Sequence, residues 1–152
     1  MIAEEFRVVA VVYIAVLAPL TIYFLNKHKI PDWVPSFYIV GIIVCALGWE
    51  LWFTYGWIDG DPVDSRRSEV LNDWLPKNIN WLLNSMADAG TVLIGGVWLM
   101  WISHKKNSKV FTQWNWSAFC ILMIWCIGQN ILVEMFLYLS LIHISEPTRL
   151  CR

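Results

Sequence analysis

Charged side chains are scarce in this sequence. Only 15% of the 152 residues are charged, while 58% are hydrophobic; soluble domains are about a quarter charged and about half apolar. The formal net charge of −1 provides neither the basic surface that nucleic acid requires nor an acidic tail. The composition therefore excludes an ordinary soluble domain, argues against a nucleic-acid partner and favours the membrane itself as the partner.

Histidine is also rare, and the motifs of several enzyme classes are missing. Three histidines are too few for the iron-binding histidine boxes of membrane oxygenases. The sequence has no Walker or dinucleotide-binding glycine loop and no G-x-S-x-G motif. The cysteines have no C-x-x-C spacing, and Cys45, Cys120 and Cys126 lie in apolar stretches, which is typical of packing thiols. We predict no metal site and no cofactor.

Long apolar stretches are abundant, and they predict the fold class. A helix needs about 20 such residues to cross a hydrocarbon core of about 30 Å. We predict an all-α, polytopic transmembrane bundle with one domain at 1–139 and four helices. The spans are expected at about 7–25, 36–57, 80–102 and 116–139. The protein would then be an integral, multi-pass membrane protein, in the endoplasmic reticulum if eukaryotic or the inner membrane if bacterial.

The first span and the loops carry the topological signals. Pro19 directly follows the small residue Ala18, which disfavours signal-peptide cleavage, so we expect an uncleaved helix. Lysines of the first loop, at 27–29, and of the third loop, at 105–109, lie on one side of the predicted bundle. We favour the cytoplasm for that side. A short interfacial helix is predicted around Ser68 to Leu75, with Val70, Leu71, Trp74 and Leu75 on one face.

The segment 140–152 differs from the rest of the chain. Residues 140–149 resemble the translation of a sequencing adapter joined to an assembled gene. We therefore expect 140–152 to be a non-native tail and the native protein to continue into a further helix. A genuine polar C-terminus is the alternative.

Carboxylates occur inside three predicted spans, where a charge costs about 2.5 to 3.5 kcal/mol on insertion scales. Glu50 lies late in the second span, Asp88 in the middle of the third and Glu134 in the fourth. Polar and aromatic residues recur around Asp88 at three- and four-residue steps, so they share one helix face. That stripe contains Trp81, Asn84, Asp88, Thr91, Gly95 and Trp98. The fourth span has a stripe of Cys126, Asn130, Glu134 and Tyr138, with Gln129 beside it.

Polar stripes on apolar helices are expected to face one another, because each polar group in lipid must find a partner within the bundle. The predicted result is a central acidic cavity in which at least one carboxyl group holds a proton near neutral pH. Such an acid can serve acid/base catalysis or proton movement. The alternatives are that Glu50 reaches the membrane surface and that the other polar residues only join helices.

Three short patterns resemble those of one membrane-protein family. A glutamate late in the second span precedes an aromatic stretch, as Glu50 precedes 51–55. A third-span acid precedes a tryptophan-containing end, as Asp88 precedes Trp98, and a Gly-Gln pair opens the polar part of the next span, as 128–129 do. Over most of residues 8–139, the chain resembles the EXPERA superfamily of emopamil-binding sterol isomerases and related sterol-binding proteins.

The resemblance implies a fifth C-terminal helix and a sterol-like ligand. In the isomerases a ring alkene is protonated, the carbocation is stabilised by acids and aromatic rings, and a different proton is removed. Glu50 and Asp88 would be the catalytic, proton-handling pair, and Trp81 or Trp98 the cation-stabilising wall. The family's histidine, one turn before the second-span acid, falls at Ala46, so binding of a sterol-like lipid or hydrophobic amine is favoured over isomerisation.

The hypothesis from the sequence is thus an intramembrane acidic site for a hydrophobic ligand, with isomerase-like catalysis as an extension. The ligand-binding residues are expected to be Trp81, Asn84, Thr91, Trp98, Gln129, Asn130 and Glu134. Two alternatives remain, a small proton- or cation-translocating subunit and a structural subunit. The oligomeric state is not determined by the sequence.

Overall fold

The computed structural model describes residues 3–57, 60–133 and 135, and this part of the chain is helical with no β-strand. Seven α-helices occur in it: α1 (Ala3–Asn26), α2 (Val34–Leu47), α3 (Trp49–Tyr55), α4 (Glu69–Trp74), α5 (Lys77–Ala89), α6 (Gly96–Ser103) and α7 (Trp116–Val133). A π-helical turn, Gly90–Gly95, joins α5 to α6, and short 3₁₀ turns lie at Val63–Ser65 and Ser108–Phe111. The all-α class predicted from the sequence is confirmed.

Two helices are long and apolar enough to cross a membrane, Glu5–Asn26 in α1 and the continuous helix Lys77–Ser103. A third candidate exists if α2 and α3, which meet at an angle of 43°, form one broken span. The apolar part of α7, Trp116–Leu132, is shorter than these. By length and composition the chain thus has two or three candidate spans. Four spans remain a prediction, because 136–152 lie outside the described residues.

The helices pack through small residues and one main apolar core. A Cβ atom added at Gly41 in α2 would lie 3.1 Å from the Cβ of Ala89, and one added at Gly90 would lie 3.1 Å from the Cβ of Pro19 in α1. Small residues at such crossings let helix backbones approach closely, which is how helices associate in lipid. The adjoining core contains Ile30, Val34, Tyr38, Cys45, Ala89, Ile94 and Val97.

The short helix predicted around Ser68 to Leu75 is present as α4, and only half of its proposed apolar face is buried; its location at a membrane interface remains a prediction. Ser68 caps α4 by accepting the backbone N–H of Leu71 at 3.2 Å. Leu71 and Leu75, one turn apart, pack against the start of α1, whereas Val70 and Trp74 are exposed. This difference arises because an i, i+4 pair suffices to fill the gap beside α1.

The first and third loops lie at the same end of the molecule. The ammonium groups of Lys29 and Lys106 lie 5.6 Å and 5.8 Å from the centre of the Trp101 ring. Both cations are within the range of a cation–π attraction. The ends of α1 and of the Lys77–Ser103 helix therefore coincide at one basic surface.

The opposite end is held by a polar network around Arg67. Its guanidinium group donates to the Asn72 side chain at 2.7 Å, to the Asn80 side chain at 3.2 Å and to the Leu75 carbonyl. The Ser68 hydroxyl donates to the carboxylate of Glu5, which is buried near the start of α1. These bonds fix the polar segment between α3 and α5 against the helix starts.

Candidate functional site

The site begins with a break in the second helical segment at Gly48. A Cβ atom at this position would lie 2.7 Å from the carbonyl oxygen of Val44, so a side chain does not fit without a shift of the backbone. A helix that ends leaves its last carbonyl groups without intrahelical partners. One of them, that of Ala46, accepts the indole N–H of Trp81 at 2.8 Å. Trp81 thereby ties α5 to the break.

The residues that follow the break place two carboxyl groups next to α5. Trp49 donates its indole N–H to Oδ2 of Asp88 at 2.9 Å. Oε2 of Glu50 accepts the side-chain amide of Asn84 at 3.4 Å and the hydroxyl of Thr54 at 3.5 Å. We call Trp49, Glu50, Thr54, Asn84 and Asp88 the acid cluster. It joins the second and third polar stripes, as the sequence predicted.

The acid cluster is partly buried and is joined by hydrogen bonds. Glu50 is only 7% exposed and Thr54 is 1% exposed, while Asp88 is half-buried. Glu50 bonds to Asn84, and its chain neighbour Trp49 bonds to Asp88. Asn84 and Asp88 lie one turn apart on α5, so the two acids are neighbours across the contact between α3 and α5 and are joined through Trp49 and Asn84 rather than directly.

The depth of the cluster follows from the helix that carries Asp88. At 1.5 Å per residue, Asp88 lies about 16 Å from the start of the Lys77–Ser103 helix. The helix itself has 27 residues and a length of about 40 Å. Asp88 thus lies near its middle, and Glu50, in the first turn of α3, lies against the same part of this helix through its bond to Asn84.

Each carboxyl group retains an oxygen for another partner. Both hydrogen bonds of Glu50 end on Oε2, and the bond to Asp88 ends on Oδ2. Within the described ranges, Oε1 of Glu50 and Oδ1 of Asp88 accept no hydrogen bond. A carboxylate has about four lone-pair sites, so both groups keep acceptor capacity.

The remaining predicted residues of the third span have backbone contacts. The Trp81 ring also packs edge-on against Tyr55, with ring centres 6.2 Å apart. The Thr91 hydroxyl donates to the Ala87 carbonyl at 2.8 Å, and the Thr91 carbonyl accepts the indole N–H of Trp125 at 2.7 Å. Trp98 is half-buried and lies about 15 Å along the helix from Asp88. Trp81 therefore joins α5 to α2 and Thr91 joins the same long helix to α7, whereas Trp98 is separate from the acid cluster.

The described part of the fourth stripe is satisfied within its own helix. Gln129 is buried and Asn130 is exposed; their side-chain amides donate to the Cys126 carbonyl at 3.5 Å and 2.8 Å. Glu134 and Tyr138 lie outside the described residues. Two of the three predicted stripes meet, and the contribution of the fourth span remains a prediction.

Two cavities in the described part of the chain lie away from the acid cluster. They have volumes of about 420 Å³ and 310 Å³ and lie along the connection between α6 and α7. Neither is lined by a residue of the acid cluster. The acid cluster instead reaches the surface through Trp49, whose side chain is 45% exposed.

Two features of the site were not recognised in the sequence. Trp49 binds Asp88 directly, and Gly48 creates the break that turns Glu50 toward α5. The sequence signal that could have indicated the break was a glycine within an apolar stretch, immediately before the Trp49–Glu50 pair, because a glycine in the interior of a helix weakens that helix. Among the described residues, no group of three or more His, Cys, Asp or Glu side chains is placed to hold a metal ion.

Comparison with protein families, curated proteins and solved structures finds no match for this chain. The interpretation of the acid cluster therefore depends on its own geometry and chemistry.

Proposed function

We propose that this is an integral membrane protein whose acid cluster binds a hydrophobic ligand, either a sterol-like lipid or a lipophilic amine. The observation that carries the proposal is that Glu50 and Asp88 meet, through their bonds to Asn84 and Trp49, near the middle of a helix long enough to cross a membrane. Intramembrane acids are costly and face partners or functional sites. Their free acceptor oxygens suit the hydroxyl group or ammonium group of such a ligand.

The aromatic surroundings suit the same ligand. Trp49 and Trp52 are each 45% exposed beside the acid cluster, and their faces attract cations and pack against flat apolar bodies. The ammonium group of an amine would donate charge-assisted hydrogen bonds to the carboxylates while its hydrophobic part contacts tryptophan. Such bonds contribute about 1.5 to 3 kcal/mol each.

The likeness to the EXPERA superfamily supports the sterol-like member of this ligand class. In an isomerase-like extension of the proposal, one carboxylic acid donates a proton to a ring alkene and the other carboxylate removes a proton from a neighbouring carbon. The family's histidine position is Ala46, whose carbonyl group accepts the Trp81 indole. Glu50 and Asp88 are then the proton-handling groups, and ligand binding is the primary function that we propose.

A structural role is the second candidate, and one observation favours it. The bonds from Trp49 to Asp88 and from Asn84 to Glu50 both join the α2–α3 segment to α5. Interhelical bonds of this kind stabilise membrane bundles by roughly 0.6 kcal/mol on average. In that case the acids would contribute to stability and not to binding.

The two candidates are separated by measuring binding and unfolding on the same variants. The protein is purified in an uncharged detergent and titrated with a radiolabelled azasteroid, a probe that combines a sterol-like body with an amine. We expect Glu50→Gln and Asp88→Asn each to weaken binding by about 10- to 150-fold, the equivalent of one charge-assisted hydrogen bond. Their unfolding midpoints in SDS are expected to change little.

Glu69→Gln is the matched control, because it removes a carboxylate that is exposed in the first turn of α4. It is expected to leave binding unchanged. Equal affinity in Glu50→Gln, Asp88→Asn and wild-type protein, together with lower unfolding midpoints in the two variants, would refute ligand binding and support the structural role.

A further inference from the structure

A second site is formed by the connection between α6 and α7. The cavity of about 420 Å³ is lined by residues between Ser103 and Asn115, among them His104, Lys105 and Lys109. The sequence contains no acidic residue from Ala89 to Val133, so the two lysines have no carboxylate on their own connection. We call this space the basic cavity.

Two lysines near the basic cavity, Lys29 and Lys106, are already engaged. Lys29 and Lys106 lie over the two-ring surface of Trp101, which leaves Lys105 and Lys109 as the exposed cations of the basic cavity. His104 donates Nδ1–H to the Met100 carbonyl at 2.8 Å, because a carbonyl group can only accept. Its Nε2 remains available to a ligand.

The backbone of this connection is held in a costly conformation. Lys105 and Lys106 have φ angles of +53° and +62°, and the left-handed region costs a non-glycine residue about 1 to 2 kcal/mol. The turn is closed by bonds from the Lys105 and Lys106 amides to the carbonyls of Ile102 at 3.0 Å and Trp101 at 2.8 Å. Strained residues of this kind concentrate at binding sites.

An apolar cavity adjoins the basic cavity. It has a volume of about 310 Å³ and is lined by Met100, Phe119 and Leu122, among others. The two cavities share Val110, Gln113, Trp114 and Asn115 in their walls. A cationic compartment therefore continues directly into a hydrophobic one between α6 and α7.

The position of the pair relative to a bilayer follows from the helix ends. The candidate spans Glu5–Asn26 and Lys77–Ser103 both end at this surface. Trp114, Trp116 and Phe119 stack nearby with ring centres 5.2 to 6.0 Å apart, and Trp114 and Trp116 are largely exposed. Clustered tryptophans at a span end are typical of the headgroup region.

We propose that the paired cavities bind an anionic phospholipid. The phosphate lies in the basic cavity against Lys105 and Lys109, and an acyl chain lies in the apolar cavity against Phe119 and Leu122. The proposal is independent of ligand binding at the acid cluster, because Trp101 lies about 20 Å along the helix from Asp88.

The test is native mass spectrometry of the delipidated full chain in an uncharged detergent. Dioleoylphosphatidylglycerol and dioleoylphosphatidylcholine are titrated separately, and bound lipid is counted. We expect one tightly bound phosphatidylglycerol and about tenfold weaker binding of phosphatidylcholine. A basic residue near an anionic lipid surface contributes about 1 kcal/mol, so Lys105→Gln and Lys109→Gln should each weaken phosphatidylglycerol binding about fivefold.

Lys27→Gln is the matched control, because it removes an exposed lysine of the first loop that does not line the cavity. It is expected to leave both affinities unchanged. Equal weakening in Lys27→Gln, or no preference for phosphatidylglycerol in the wild-type protein, would overturn the proposal.

A competition arm distinguishes a lipid site from a phosphate site. Glycerol 1-phosphate carries the same phosphate chemistry without acyl chains, and at a tenfold excess it should not displace phosphatidylglycerol. Displacement by glycerol 1-phosphate would show that the apolar cavity contributes nothing and would refute a lipid as the occupant.

Discussion

Replacing Gly48 by alanine is expected to damage both the fold and the acid cluster. The new Cβ atom would lie 2.7 Å from the Val44 carbonyl oxygen, where ordinary contact begins near 3.4 Å. That oxygen also accepts the Gly48 N–H at 2.9 Å, so the backbone has to move at the break itself. Overpacking of this kind costs about 1 to 3 kcal/mol. Glu50, two residues later, would be displaced from Asn84.

The measurement is unfolding in SDS, followed by circular dichroism, together with azasteroid binding. Gly128→Ala is the control, because a Cβ at Gly128 in α7 meets no atom within 4 Å. Alanine stabilises a helix relative to glycine by about 1 kcal/mol, so the Gly128→Ala protein should be slightly more stable than wild type. We therefore expect Gly48→Ala to lower the stability of the protein and Gly128→Ala to raise it. A Gly48→Ala protein as stable as wild type, with unchanged binding, would refute the role of the break.

Three further substitutions or conditions test individual contacts. Trp125→Phe removes the indole donor that the Thr91 carbonyl accepts at 2.7 Å, so the unfolding free energy should fall by about 0.5 to 1.5 kcal/mol, the net contribution of one hydrogen bond; an unchanged SDS midpoint would contradict this. Hydrogen bonding to Lys77 lowers the pKa of Asp64. The contribution of ionised Asp64 to the free energy of unfolding is therefore complete above the unfolded pKa of about 3.9, and it is lost as the pH falls through the lower pKa of the folded protein. The SDS unfolding midpoint of the wild-type protein should therefore fall as the pH is lowered, and it should fall less steeply in Lys77→Gln. Identical pH profiles of the two proteins would refute the pairing of Lys77 with Asp64. Lys105→Gly should raise stability by about 1 kcal/mol because glycine tolerates the φ of +53°, and a loss would contradict the left-handed turn.

The helical class and the positions of the apolar segments could be predicted because burial in lipid imposes a simple requirement on composition. The predicted third span, 80–102, lies inside the continuous helix Lys77–Ser103. The second span was harder: the sequence at 36–57 reads as one stretch, whereas the structure breaks it at Gly48. The cause is a local backbone conformation whose effect depends on what packs against it, and hydropathy does not report this.

The candidate site was predictable where helical periodicity determines a face. Asn84 and Asp88 share a face of α5 and both contact the α2–α3 segment, as the spacing required. Trp81 lies on the same face, but its indole binds a backbone carbonyl group exposed by the helix break. That role depends on the break and could not be predicted from spacing alone.

Carbodiimide labelling tests the central claim, that Glu50 and Asp88 form an intramembrane ligand site, most directly. The protein is reconstituted in vesicles and treated with either a hydrophobic or a water-soluble carbodiimide, and modified carboxyl groups are located by mass spectrometry. The hydrophobic reagent should modify Glu50 or Asp88, and the azasteroid should protect them. The water-soluble reagent should modify exposed acids such as Glu69. The claim would be contradicted if the water-soluble reagent modified Glu50 and Asp88 as fast as it modifies Glu69, or if the azasteroid did not protect Glu50 and Asp88 from the hydrophobic reagent.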